Sequence, residues 1–319
     1  MDPHDVLGPA EPGQRWVVRH RLPDGSATDL TGWVDRLAAG HVHLWTPDGS
    51  VHVVQRSEVL AARRAPAAAG GPPPERTSPE ELQRHTLPGW LALSEPLGEW
   101  TLRSGGGFTG RANSCHAVGD PGMPVPVAAT RIVEHAAAQG IPPLASVVAG
   151  GEPEAALRAL GWVDTYVPTE VLAVRLADLL GAAPPDPRAR VVEDLEVGWW
   201  NAYAESRPND ADPGLVRLLL AGHPPRAFAS AGDPDRPTAI GRGHLSGTWL
   251  GYAAVWTRPG HRHQGLAGAL MGRLGHWAAR RGARYAYLQV AAANADALAA
   301  YQRMGFRRHH AYRYLAPPP

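Results

Sequence analysis

The residues best placed to do chemistry lie between 255 and 267, in the run VWTRPGHRHQGLA. An apolar stretch ends at Thr257. A loop rich in Arg and His follows, and a helix-period pattern begins at Gly265. Glycine there lets the backbone turn successive N–H groups toward one point. A helix starting at that point adds unpaired N–H donors and the positive end of its dipole. Strand, glycine loop and helix start together form a receptor for an anion, and Arg262 adds charge. Taken alone, Gly265 is equally compatible with an ordinary turn before an ordinary helix.

The loop needs rigid neighbours. Leu266, Leu270, Leu274 and Trp277 recur at helical spacing. Arg280 and Arg281 suit the C-terminal end of the dipole, and Gly282 suits the position just past the helix. Upstream, ARVVED predicts a strand, then LEVGWWNAYAES and GLVRLLLAG two helices. RAFASA, TAIGRGHLSG and TWLGYAAVW predict three strands in series. Downstream come a strand YAYLQV, then Asn294, a helix over 295–303 and a last strand FRRHHAYRYL.

Composition sets the class. The chain has 319 residues, 44% hydrophobic and 19% charged, which fits a soluble protein of two or three domains. No apolar run reaches membrane-spanning length. The N-terminal MDPHDVLGPAEPG has no signal-peptide pattern. A single cysteine, Cys115, excludes an internal disulfide, and a cytoplasmic location is expected. All 31 basic residues are Arg, so Arg in place of Lys carries no chemical message here. From Arg258 to Pro319 ten Arg face one acid, Asp296, although the whole chain is only +1. That local charge implies an anionic partner. A small polyphosphate satisfies it; nucleic acid is disfavoured by the near-neutral total.

Arg262-x-x-Gly265-x-Ala267, the strand YLQV, Asn294 and the helix ALAAYQRMGF stand in the order found in GNAT acetyltransferases. From about Arg188 to Leu315 the chain resembles that family. The resemblance implies acetyl-CoA as co-substrate and no metal. Backbone groups of Val255, Trp256 and Thr257 are then expected to pair with the pantetheine arm. Arg262 and the N–H groups of His263, Gln264, Gly265, Leu266 and Ala267 are expected to hold the pyrophosphate. Asn294 would touch the arm, although it could serve only as a helix N-cap. Tyr301 would protonate the departing thiolate, although it could be a core aromatic under Phe306. An N–H near the end of TWLGYAAVW would stabilise the thioester oxygen. No general base stands out; His244, Glu205 and Asp210 are candidates. The acceptor would be an amine, either a protein lysine or a small molecule as in mycothiol synthases. A non-catalytic acyl-CoA sensor is the reading outside enzymology.

An internal repeat extends the resemblance. HAAAQG ends at Gly140, with Gly161-Trp162 further on; HWAARRG ends at Gly282, with Gly305-Phe306 further on. The earlier copy has Leu157 where Tyr301 stands and Gly150 where Asn294 stands, and it has no Arg-x-x-Gly-x-Ala. It is expected to bind no acetyl-CoA and to wall the substrate groove. The fold class expected is α+β: a mixed GNAT-type sheet flanked by helices, in tandem with a degenerate first lobe, plus a small N-terminal β-barrel. The expected divisions are a Src-homology-3-like barrel at 13–62 with a possible protein partner, a linker at 63–81, the degenerate lobe at 82–183 and the catalytic domain at 188–319. In the barrel, Thr46 to Gly49 reads as a turn.

Weaker signals have plainer readings beside the chemical ones. GGGFTGRANS lacks a P-loop ending and reads as a hairpin facing the groove. Cys115 and His116 alternate on a strand, which disfavours a dyad. His41, His43 and His52 could bind zinc, but a solvated face is the commoner reason for such a pattern. Trp199 and Trp200 could line an acceptor pocket, with core packing the default.

Overall fold

A computed structural model describes residues 7, 10, 14–38, 40–46, 51–65, 73–90, 92–182 and 186–318. Two sheets organise them.

The N-terminal sheet is antiparallel, with strands Arg15–Arg21, Ala27–Ala38, His41–Trp45, Val51–Gln55 and Val59–Arg64. Alternation drives it: Trp16, Val18, Val42, Leu44 and Val54 point inward and are buried. The last two strands form opposite edges, joined by a short 3-10 turn, Arg56–Glu58. No pairing closes the sheet into a barrel among the described residues. The expected turn at 46–49 falls largely outside them. The linker expected at 63–81 is shorter than that. The last strand runs to Arg64, and helix Pro79–Arg84 starts within the span, capped by Ser78 Oγ accepting from Glu81 N at 3.1 Å.

The large sheet is one continuous path. Its order is Ala189–Val192, Arg226–Gly232, Pro237–Ser246, Trp249–Thr257, Tyr285–Ala291, Thr169–Arg175, Arg307–Ala316, Ala145–Val148, Cys115–Ala117, Trp100–Ser104 and Leu93–Leu97. All neighbours on it are antiparallel but two. Trp249–Thr257 runs parallel to Tyr285–Ala291, and Cys115–Ala117 parallel to Ala145–Val148. Parallel neighbours need a crossover, and each pair has a helix of 15 residues between its strands, Leu266–Arg280 and Val125–Gln139. The sequence repeat is thus a repeat of strand, loop, helix and strand.

The halves are not side by side. Thr169–Arg175, which no periodicity signalled, lies between Tyr285–Ala291 and Arg307–Ala316. The C-terminal strand in turn pairs with Ala145–Val148. Each half therefore completes the other's sheet with its last strand, and pairing runs across the division expected near residue 185.

The helix Leu266–Arg280 buries Leu266, Leu270, Leu274 and Trp277 as its spacing requires. Tyr252 Oη donates to Met271 O at 2.7 Å, tying helix to strand. Gly282, at φ 92°, takes the left-handed turn after the helix. The charge concentrated in sequence is partly neutralised in space. Arg258 meets Glu205, Arg281 meets Glu193, Arg308 meets Glu170 and Arg313 meets Asp164.

Candidate active site

The parallel register between Trp249–Thr257 and Tyr285–Ala291 holds only from Trp249↔Tyr285 to Tyr252↔Leu288. Beyond that the strands part. The cause is visible on the other edge of Trp249–Thr257. Its register with Pro237–Ser246 skips between Ile240↔Trp256 and Arg242↔Ala253. The extra residue is a bulge, and Ala254 there sits at φ 53°, a costly angle for a side-chain-bearing residue. The bulge bends the strand away from its parallel neighbour.

A cleft of about 790 Å³ opens at the parting. On one side it is lined by Tyr252, Ala253, Ala254 and Val255, and on the other by Leu288 to Ala291. Asn294 and Tyr301 close it from the helix Ala295–Arg303. Asn294 Oδ1 accepts from Ala297 N at 3.2 Å, so it does cap that helix, and it lines the cleft as well. Tyr301 packs edge-on to Phe306 at 6.0 Å. Burial pushes its phenol above the usual range, against the pull of Arg207. Both readings of Tyr301 thus describe one position: a ring in the core's edge and a hydroxyl without a protein partner among the described residues.

Trp256 and Thr257 do not line the cleft. The Trp256 ring packs against the Trp199 cluster and lies 5.4 Å from the Arg258 guanidinium. Beyond them the chain reaches the loop singled out by sequence. Gly265 has φ 77° and His263 φ 61°. None of the N–H groups of residues 263–268 donates to a protein acceptor among the described residues. Arg262 is exposed, with Nε 3.4 Å from Thr257 O. Arg188, which no spacing marked, reaches the loop: its Nη1 donates to Gln264 O at 3.0 Å, while Asp186 holds its other face. The loop is thus a set of unspent donors beside two guanidinium groups, at the helix start that Gly265 makes possible.

The far wall of the cleft comes from residues 86–111. Gly106, Gly107, Phe108, Thr109 and Arg111 line it, with Trp90. The glycine-rich hairpin does face the groove, and one buried side chain shapes it. Asn113 Oδ1 accepts from Gly105 N and Gly107 N, both at 2.8 Å, and its Nδ2 donates to Phe108 O at 2.7 Å and Thr109 O at 3.0 Å. Tyr203, Arg207 and Asp210 form the rim.

The three base candidates separate. Glu205 is ion-paired with Arg258 and does not line the cleft. His244 does, but burial pushes it down to about 3, with Arg242 adding to the fall. Its Nε2 is engaged with Tyr287 Oη at 2.8 Å. Asp210 is an exposed carboxylate on the cleft's rim.

The remaining signals resolve as core or surface. Trp199 Nε1 donates to Ala229 O at 3.0 Å inside the core, and Trp200 stacks under Arg217 at 4.7 Å; neither lines the cleft. Burial pushes the Cys115 thiol up to about 12 and His116 well down, which leaves both inert. His43 pairs with Val53 and His52 with Leu44, so the register separates His52 from the His41 and His43 face. Among the described residues no cluster of His, Cys, Asp or Glu could hold a metal, and no helix could cross a membrane.

Bulge, parted strands and glycine loop before a helix are a GNAT acetyltransferase architecture. The chain is similar in structure to a GCN5-related N-acetyltransferase from Kribbella flavida, at TM-score 0.56 and 19% identity, over 75% of this chain and 95% of that one. Such an identity speaks for the fold alone. Over 112 residues the sequence is 35% identical to streptothricin acetyltransferase of Streptomyces lavendulae, covering 30% of this chain and 59% of that protein. The chain thus spans about three-fifths of the length of that curated relative. Residues 85–315 match the family described as "Probable histone acetyltransferase Rv0428c C-terminal", and the chain belongs to it.

Proposed function

We propose that this protein transfers the acetyl group of acetyl-CoA to an amine by direct attack. The observation that carries this is the parting of strands beyond Tyr252↔Leu288, beside a loop of unspent N–H donors. Free edge groups of residues 253–257 would receive the pantetheine arm as an added strand. The pyrophosphate would sit on the N–H groups of His263 to Ala267, with Arg262 and Arg188 supplying charge. Only the backbone of Trp256 and Thr257 is needed for this.

In the ternary complex the neutral amine attacks the thioester carbon. An N–H freed by the bulge at residues 254 and 255 would hold the developing oxyanion. The C–S bond breaks, and Tyr301 gives its proton to the sulfur. A phenol raised by burial stays protonated at neutral pH, as a donor must. The amine's proton leaves through Asp210, the one base candidate that both lines the cleft and keeps a carboxylate unpaired, or through water. Positioning supplies much of the acceleration.

The first lobe is proposed to bind no acetyl-CoA. The turn before its helix Val125–Gln139 is filled by its own acids: Glu99 Oε2 accepts from Asp120 N, and Asp120 Oδ1 from Gly122 N, both at 2.8 Å. A Cβ on Gly119 would lie 2.0 Å from the Glu99 carboxylate. A pyrophosphate there would have to displace two carboxylates from the turn, one of them paired with Arg84 at 3.7 Å. The N-terminal sheet, with its 3-10 turn before the last strand, is proposed to be Src-homology-3-like and to engage a protein partner.

Titration calorimetry with acetyl-CoA, followed by thiol release with a panel of amines, tests the assignment. One binding event per chain and amine-dependent release are expected. Binding without release from any amine would leave the sensor reading instead.

A further inference from the structure

Most arginines of this protein that sit at ion-pairing distance from an acid are at least partly exposed. The deeply sunk ones are different. Arg103 and Arg242 are buried at 5% and 0% exposure, and neither they nor Arg111 have a carboxylate within 4.0 Å among the described residues. Arg103 spends its donors on Ser114. Arg242 gives one bond to Gly89 O at 2.6 Å, and its Nε and Nη2 are buried without a partner. Arg111 lines the cleft. It is half-buried; its Nε donates to Tyr312 Oη at 3.3 Å, and its terminal nitrogens meet no protein acceptor among the described residues. The Arg111 and Arg242 guanidinium carbons lie 5.9 and 5.6 Å from the centre of the same ring, Trp90.

An arginine cannot shed its proton to escape burial. An unpaired cation drawn away from water is costly to keep charged. Proteins keep such groups where a ligand supplies the counter-charge. Among the described residues the only acid lining this cleft is Asp210, on the exposed rim. The phosphates of the donor have their own receptor at residues 262–267, at the other end of the parted strands.

We propose that the acceptor is a small amine carrying a carboxylate, which the Arg111 fork binds against the Trp90 face while Arg242 adds its field from behind. This rests on the acetyl-transfer reading above and names its substrate class. A planar fork with two free terminal nitrogens matches a carboxylate in two parallel bonds. The indole, Phe108 and Tyr203 give the organic part of the acceptor an apolar wall. A lysine-rich tail would bring positive charge to a cleft that already holds Arg111 and Arg207.

Matched pairs test this on the full chain: phenylalanine with phenethylamine, lysine with cadaverine, and the remaining common amino acids, with O-phosphoethanolamine as a rival anion. Binding is read by saturation-transfer NMR and turnover by thiol release. At least one amino acid is expected to bind and turn over well ahead of its decarboxylated partner. Arg111→Met should weaken that acceptor roughly 100-fold, and Arg111→Lys should restore part of the loss. Acetyl-CoA affinity, measured on the same samples, should stay unchanged and reports folding. Equal turnover of decarboxylated partners, preference for O-phosphoethanolamine, indifference to Arg111→Met, or no amino-acid binding would each overturn the proposal. Turnover of plain amines alone removes the carboxylate site and leaves acetyl transfer standing. Arg111-dependent binding with no thiol release does the reverse.

Discussion

The two halves of the large sheet share a plan and differ at one turn. Each runs strand, turn, 15-residue helix and parallel strand. In the second half the turn keeps its N–H groups of residues 263–268 free and has Arg188 and Arg262 beside it. In the first half the turn gives N–H groups to Glu99 and Asp120. The same scaffold thus leaves N–H donors free beside two guanidinium groups once and gives its turn N–H groups to its own carboxylates once. Fold alone does not make the site; a few loop residues do.

The strongest way to break that contrast is to put an acid where the second half has none. Gly265→Asp combines a carboxylate with a side chain at φ 77°. The angle alone costs about 1–2 kcal/mol, and the charge opposes a diphosphate directly. Acetyl-CoA affinity should fall roughly 100-fold or more by calorimetry. Retained affinity would move the phosphate receptor elsewhere in the molecule.

Chemistry should separate from binding one helix further on. The first half carries Leu157, fully buried, at the repeat position of Tyr301. Tyr301→Phe keeps the ring and its edge contact with Phe306 but removes the proton. A drop of roughly 100-fold in kcat is expected, with acetyl-CoA affinity nearly unchanged. A wild-type rate would assign the ring to packing only.

How far this contrast shows in the sequence depends on range. Gly265, the leucine spacing after it and Gly282 all act within a single helix and its two ends, so they were legible. So was Asn294, whose cap and cleft roles coexist. The strand Thr169–Arg175 was not. Its partners, residues 285–291 and 307–312, lie more than a hundred residues away, and nothing local marks a strand that leaves its own half. Arg111, Arg188 and Arg242 were equally hidden. With every basic residue an arginine, type carries no signal; burial and missing partners do, and both are tertiary. The closed barrel was expected from strand count, which cannot specify whether edge strands meet.

The exchanged strands predict that the halves unfold together, and pH can show it. His116 in the first half, His244 in the second and His310 on the shared strand are all held neutral by burial. For His244 and His310 burial pushes the folded value to about 3, against roughly 6.5 when unfolded. The unfolded chain therefore binds more protons below pH 6.5. Stability is full above that point and falls as the pH drops toward 3. Each histidine contributes a slope of about 1.4 kcal/mol per pH unit at most. Urea midpoints at pH 7, 6 and 5 should decline in one transition. A flat midpoint, or two transitions titrating separately, would undo the picture of one shared sheet.

The mildest test works from the first half. Glu99→Gln removes the charge that fills the turn but leaves a hydrogen-bond acceptor for Asp120 N. The side chain is exposed, so the stability change should stay within about 1 kcal/mol. No second acetyl-CoA should bind, because that turn, although Arg84 lies beside Glu99, still lacks a counterpart of the loop at 262–267. The variant asks whether the acid alone keeps the ligand out. A second binding event in calorimetry would mean that it does, and that the first half retains a receptor masked by a single carboxylate. An unchanged stoichiometry would mean that the receptor needs several residues at once, as the free N–H groups and flanking guanidinium groups of the second half imply.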